Sequence, residues 1–340
     1  MASLSRREFI QLGGKAVAFS LLPYSPSPIL KYNSMTDNKY FDVIIIGGSY
    51  AGLAAAMSLG RALIKTLIID NGKPCNHQTP HSHNFLTNDG KTPVEITTLA
   101  KRQVSNYESV SLLKDTAING ERTLNGFKIH VASGEIFETK KLIFATGIKD
   151  ILPPIKGFSE CWGISVLHCP YCHGYEIRNK RTGIFGNGVA GFEFAKLISN
   201  WTNDLTIFTN GDSSFTTDHK NKFHTHHIKI IESKIERIDH SNGYVNRILF
   251  QDGSVLPIDA IYAPSPFEQH CKIPETLGCE LTEEGYIKTD QFHETTIKDV
   301  FAIGDNATKS RTVANAVAMG THAGMTLSKK MIIEEFLLKE

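Results

Sequence analysis

The chain twice repeats one arrangement of apolar and polar positions. An unbroken apolar run leads into a glycine-rich turn, then a helix-length segment opening on small residues, then a second apolar run. The first copy is Phe41-Asp42-Val43-Ile44-Ile45-Ile46, Gly47-Gly48-Ser49-Tyr50-Ala51-Gly52, residues 53–63 and Leu67-Ile68-Ile69-Asp70. The second is Arg181-Thr182-Gly183-Ile184-Phe185, Gly186-Asn187-Gly188-Val189-Ala190-Gly191, residues 192–201 and Leu205-Thr206-Ile207-Phe208. Apolar runs without alternation predict strands covered on both faces, as in a parallel sheet between helices. Leu142-Ile143-Phe144-Ala145 and Val300-Phe301-Ala302-Ile303 are two more such runs, and a final helix is expected over residues 314–327. The predicted fold class is α/β, with two Rossmann-like dinucleotide-binding units.

The order strand, glycine turn, helix, strand, acid gives the first glycine motif its meaning. Gly47 permits the tight turn, and Gly52 allows close packing of helix on strand. Ser49 stands where the pattern has its middle glycine, and its small hydroxyl suits a phosphate. Gly47, Gly48, Ser49, Ala51 and Gly52 are therefore candidate cofactor contacts at a helix N-terminus. Asp70 ends the second strand, where a carboxylate accepts from ribose hydroxyls. Residues 295–305 resemble the distal FAD motif, a strand ending in Gly304-Asp305, which implies that Asp305 binds the ribityl chain. Residues 142–147, ending in Thr146-Gly147, resemble the strand that many flavoproteins place near the nucleotide. FAD is the cofactor these three features imply. The loop of residues 75–84 holds His77, His81, His83 and Asn84 and should lie over the flavin. It reads as flavin contacts, Asn84 among them, as a plain surface loop, or as a metal site.

Gly186, Gly188 and Gly191 complete the second motif, a possible NAD(P) site. Its second strand ends in Thr209-Asn210-Gly211-Asp212, with no Arg or Lys for a 2′-phosphate before Lys220. Weak nicotinamide binding, NADH binding and a scaffold without ligand all remain open.

Between the two units stands Cys169-Pro170-Tyr171-Cys172-His173-Gly174. A C-x-x-C pair lowers one thiol's pKa and suits a redox disulfide. His168, Cys169, Cys172 and His173 are also zinc-ligand types, but a second pair at suitable spacing is missing. Cys75, Cys161, Cys271 and Cys279 read as buried thiols.

Composition narrows the setting. The 340 residues suit two domains, and a formal charge of +1 gives no case for nucleic acid. Ser5-Arg6-Arg7-Glu8-Phe9-Ile10 matches a twin-arginine export signal, followed by an apolar stretch too short to span a bilayer. The expectation is export by that route, or a cytoplasmic protein if translation starts at Met35. No stable membrane span is expected.

With these residues in place, about residues 40–325 resemble the low-molecular-weight thioredoxin reductase family. Residues 1–35 read as a leader on the twin-arginine motif, and the resemblance implies FAD-binding parts over 40–152 and 271–340. Between them it implies an inserted NAD(P)-type domain over 153–270. It further implies a two-stranded hinge, rotation between halves, a homodimer, and flavin contacts from Arg311, Thr312 and Val313. By the same resemblance Cys172 is the flavin-side sulfur and Cys169 meets a thiol or disulfide substrate, protein or small molecule. His173 stands where typical members have an acid, and is the candidate general acid–base. The Arg-rich 2′-phosphate motif is missing. Three functions follow: a disulfide reductase using NAD(P)H, a dithiol oxidase passing electrons to oxygen or another acceptor, and a non-catalytic flavin-binding redox sensor.

Overall fold

A computed structural model describes residues 39–338. The twin-arginine motif, the apolar stretch after it and Met35 lie outside the described residues.

The first sheet contains β1 (Tyr40–Ile46), β2 (Thr66–Ile69), β3 (Val110–Leu113), β4 (Ala117–Thr123), β5 (Gly126–Val131) and β6 (Ile136–Phe144). Their order is β3-β2-β1-β6-β5-β4. The β3-β2-β1-β6 ladders are parallel, and β5 and β4 return antiparallel. The unbroken run of β1 serves two cores. Val43 and Ile45 enter one, and Phe41, Ile44 and Ile46 enter the other. Two helices accompany this half, α1 (Tyr50–Arg61) and α2 (Pro93–Val104). The first begins at Tyr50, ahead of the expected residue 53, because Ser49 already serves as its N-cap.

The chain leaves through β7 (Ile148–Asp150) and β8 (Val166–Leu167), then makes the short helix α3 (Pro170–His173). The second unit follows: β9 (Thr182–Phe185), α4 (Gly188–Ile198), β10 (Leu205–Phe208), α5 (Thr217–Thr225) and β11 (Lys229–Ile231). An antiparallel sheet of β12 (Ile235–Ser241), β13 (Tyr244–Phe250) and β14 (Val255–Pro257) precedes β15 (Ala260–Tyr262). The second parallel sheet has the order β11-β10-β9-β15-β8. The chain returns through β16 (Phe267–Gln269), which pairs antiparallel with β7, Phe267 opposite Asp150. β17 (Val300–Ala302) then docks parallel on β6.

The last helix, α6 (Val313–Leu337), runs ten residues past its expected end at 327. No proline or glycine interrupts residues 325–337, and Leu327, Ser328 and Met331 stay buried. It lies against α1 at very short range. A Cβ on Gly320 would sit 2.1 Å from the Ala51 carbonyl oxygen, and one on Gly324 2.6 Å from that of Ala55. The strand expected across residues 295–305 shrinks to β17, because residues 296–299 turn, with Asp299 at φ 70° and the Val300 amide donating to the Ile297 carbonyl. Among the described residues, no helix is long and apolar enough to cross a membrane.

Candidate active site

The C-terminal ends of β1, β2 and β6 open into a cleft of about 870 Å³. Gly47, Gly48, Ser49, Ala51, Asp70, Thr146, Gly147, Gly304 and Asp305 all line it. Local geometry explains the residue types. Gly47 has φ +104°, and a Cβ there would sit 2.2 Å from the Ala145 carbonyl oxygen. A Cβ on Gly48 would meet the Asp70 side chain at 2.8 Å. Gly52 lies behind the wall, where a Cβ would meet the Gly47 carbonyl oxygen at 1.9 Å. Ser49 has φ −96°, open to any L residue, so glycine is not required there. Its hydroxyl makes no capping bond and stands at the positive end of α1. These walls fit FAD: Ser49 would hold the pyrophosphate and Asp70 a ribose.

One contact lies outside the glycine motifs. Lys101 on α2 places its Nζ 3.3 Å from Asp70 Oδ2 and also lines the cleft. Its signal is Thr92-Pro93-Val94-Glu95, a capping box that starts α2 and fixes the face on which residue 101 falls.

At the far wall Asp150 and Asp305 line the cleft, and Arg311 stands behind them without lining it: one terminal nitrogen donates to both Asp150 oxygens at 3.0 and 3.1 Å, and its Nε lies 4.0 Å from Asp305. Burial, with Asp150 adding to it, pushes the Asp305 carboxyl up to about 6 against the opposing pull of Arg311. Asn306 is fully buried and donates to Thr146 Oγ1 at 3.2 Å and to the Phe144 carbonyl at 2.9 Å, so it holds Thr146 in place. Thr312 and Val313 do not line the cleft: Thr312 caps α6 by accepting from the Asn315 amide, and Val313 packs on the α1 core. Asn84 is exposed in a turn at φ 58°, its amide donating to Asp89.

Cys75 corrects the buried-thiol expectation. Cys161 and Cys279 are buried, but Cys75, exposed, and Cys271, half-buried, both line the cleft. The Cys75 sulfur lies 4.0 Å from Asp305, and desolvation with that carboxylate pushes the thiol up to about 12.

Cys169 and Cys172 form a disulfide at the ends of α3, with Cα atoms 5.3 Å apart. The sulfurs are bonded to each other, which removes both thiolates from any zinc site. Cys169 follows the C-terminal end of β8, where α/β sheets carry their chemistry. His168, just before it, stacks on Trp162 at 6.0 Å, and Trp162 lines the cleft. Cys169, Cys172 and His173 do not themselves line the cleft; the residue before them touches its wall through this one aromatic contact. His168 Nε2 is buried without a partner, and desolvation pulls its imidazole down to about 3. Desolvation likewise pulls His173 down to about 4, helped by the charge of His83.

The expectation for His83 is a loop residue over the flavin; in the structure it is absent from the cleft lining and faces the disulfide turn. Its Nδ1 lies 3.6 Å from Glu176 Oε1, on the disulfide turn, and 3.7 Å from Asp89 Oδ1. Neither partner belongs to a glycine motif, so no motif signals the pair. His224, His226 and His227 are exposed, as their polar surroundings suggest.

The second glycine loop is differently arranged. A Cβ on Gly186 would lie 3.3 Å from the Gly191 Cα, and one on Gly191 3.0 Å from the Gly186 carbonyl carbon, as the motif requires. The side chain of Asn187 fills the turn. Its Oδ1 accepts from the Gly188 amide at 2.8 Å, the Ser214 amide at 2.9 Å and the Ser214 hydroxyl at 3.0 Å. Its Nδ2 donates to the Asp212 carbonyl at 2.9 Å. An amide that a bound phosphate would use is taken by the protein itself, and the bare strand end at Asn210 supplies no cation. The loop thus offers neither a free Gly188 amide nor a basic residue at the strand end for a 2′-phosphate.

The pyridine nucleotide-disulphide oxidoreductase model matches residues 41–320. Thioredoxin reductase tcpT of Claviceps purpurea is 28% identical over 311 residues, covering 88% of this chain and 97% of that protein. The solved oxidoreductase of Agrobacterium tumefaciens is 33% identical with a TM-score of 0.80, covering 88% of this chain and all of that one. An alkyl hydroperoxide reductase component of Staphylococcus aureus is 26% identical over 85% of this chain, and the match spans 58% of that longer protein. A cleft whose walls suit a flavin, a disulfide on the turn after His168 and a family match over most of the chain agree: this protein belongs to the pyridine nucleotide-disulphide oxidoreductases, as a divergent, FAD-dependent, thioredoxin reductase-like enzyme.

Proposed function

We propose that electrons pass between FAD in the cleft and the Cys169–Cys172 disulfide, and that Cys169 meets a thiol or disulfide substrate. The observation that carries the reading is the disulfide itself, one stacked ring away from the cleft wall. FAD supplies two-electron chemistry when bound. The protein's own part starts with the S–S bond. An incoming dithiol forms its own S–S bond as Cys169–Cys172 opens, so two electrons and two protons move onto the cysteines. Cys172 faces the flavin and Cys169 the substrate, as the resemblance implies. His173 stays neutral near pH 7, so it accepts hydrogen bonds from thiols rather than carrying charge.

A second reading, the dithiol oxidase, is favoured by Asn187. With the second glycine loop held by its own side chain, electrons enter from the dithiol and leave to oxygen or another acceptor. Anaerobic mixing of the flavin-loaded protein with NADH, NADPH and dithiothreitol in turn separates the two. Loss of flavin absorbance with dithiothreitol alone supports the oxidase. Rapid loss with NADPH overturns it, and no response to dithiothreitol overturns the disulfide step.

The homodimer is proposed on the exposed apolar side chains of α6. Met325, Ile332 and Phe336 are 60, 52 and 78% exposed at helical spacing. Light scattering that finds a monomer ends this idea. Export by the twin-arginine route is proposed on residues 5–10, and retention in the cytoplasm of cells with a working pathway overturns it.

A further inference from the structure

The sequence assigns acid–base work at the disulfide to His173, yet this ring is largely desolvated and held neutral. The charged groups around it meet across the two halves of the molecule. His83 sits on the loop of the flavin half, only 20% exposed at its side chain. On its own loop it faces Asp89 at 3.7 Å and the ring of His81 at 6.4 Å. From the disulfide turn it faces Glu176 at 3.6 Å, and its charge bears on His173. Glu176 follows Cys172 by four residues on the same turn. Nearby, Gln78 and Thr79 of the flavin-half loop lie against Gly163, where a Cβ would come within 3.0 and 3.1 Å of them. The loop therefore touches the inserted half at two places, one through packing and one through charge.

We propose that His83 and Glu176 are positioning residues for the disulfide reaction: His83, paired with Glu176 across the seam, clasps the Cys169–Cys172 turn against the flavin half. The inference rests on the flavin–disulfide reading above. Without the pair, the turn is freed to move away with the inserted half. Asp89 shares the ring but belongs to the same loop, so it orients His83 without bridging the halves. His83 also bears on His173, and opening the clasp removes that influence.

The test uses the FAD-loaded enzyme in two measurements. Amide hydrogen exchange over residues 82–90 is compared between wild type and variants at one pH. Glu176→Gln lowers protection roughly three- to fivefold, the scale of a partly exposed ion pair, and Glu176→Asp restores part of it. If protection is unchanged in Glu176→Gln, the ring answers to Asp89 alone and the clasp is wrong. This measurement needs no turnover, so it stands even if dithiothreitol fails to reduce the flavin and the proposed function falls. The second measurement is the pH profile of flavin reduction by dithiothreitol. His83→Gln and Glu176→Gln shift it alike, and the double variant shifts it no further than either single. Independent, multiplying effects overturn the proposal.

Discussion

Replacing Gly320 by Val tests whether the crossing of α6 on α1 holds the flavin cleft in shape. The first added carbon would lie 2.1 Å from the Ala51 carbonyl oxygen. That neighbour is backbone inside a helix, so it cannot swing away as a side chain would. One helix must shift outward by roughly 1 Å or more, in an interior packed too tightly to absorb it. Overpacking of this kind costs about 1–3 kcal/mol, and Val gains back only about half a kcal/mol over Gly in helix propensity. The clash wins. At about 2–4 °C per kcal/mol, the melting temperature falls by roughly 2–10 °C. The more specific consequence concerns the cofactor. Ala51 belongs to the first turn of α1 and lines the cleft, so displacing it moves the helix N-terminus off the pyrophosphate. Purified Gly320→Val should carry less FAD per chain than wild type at equal folded fraction, measured by absorbance after denaturation. Lys329→Ala, exposed on the same helix, should change neither quantity. A variant at Gly320 that melts as wild type and keeps its full FAD would refute the argument.

The other predictions are shorter. Cys169→Ser and Cys172→Ser should each abolish flavin reduction by dithiothreitol while leaving FAD bound; continued reduction in either would remove the disulfide from the path. Lys101→Ala leaves Asp70 without its 3.3 Å partner in the cleft and should weaken FAD retention about threefold or more, read by equilibrium dialysis. Asn187→Gly frees the Gly188 amide, and a gain in NADH-driven flavin reduction is expected; the absence of any gain would place the obstacle elsewhere. Acid stability follows from His168 and His173, whose folded values lie near 3 and 4, below the ordinary histidine value. Below about pH 6.5 the unfolded chain binds protons that these desolvated rings refuse, so stability is full above that pH and falls on acidification. The loss is about 1.4 kcal/mol per pH unit for each ring until its folded value is reached. Urea melts of His173→Gln should show a shallower fall between about pH 6 and pH 4 than wild type.

Much of this architecture is legible because glycine motifs are steric statements. Gly47 and Gly52 cannot be other residues where a carbonyl lies 2.2 or 1.9 Å from the position of a Cβ. The unbroken run at residues 43–46 likewise has to be a strand covered on both faces. What escapes the sequence is set by partners distant along the chain. His83 and Glu176 meet only after the inserted half has folded back on the loop. Cys75 carries no local mark separating a wall thiol from a core thiol. Asn187 is a neutral letter inside a motif until its amide is seen spanning to Ser214 and Asp212. The end of α6 lies beyond its expected place because a helix without proline or glycine gives no stop signal.

The ladder of β7 with β16 has a consequence for how this enzyme can be taken apart. Ile148–Asp150 and Phe267–Gln269 run side by side, so the chain enters and leaves the inserted half at one point. A short turn joining Asp150 directly to Phe267 would therefore close the flavin half without stretching it. The excised piece would have its own two ends adjacent, ready to be joined or fused elsewhere. The disulfide-bearing half is in this sense a detachable cartridge, and its exchange between relatives would test which half dictates the choice of thiol.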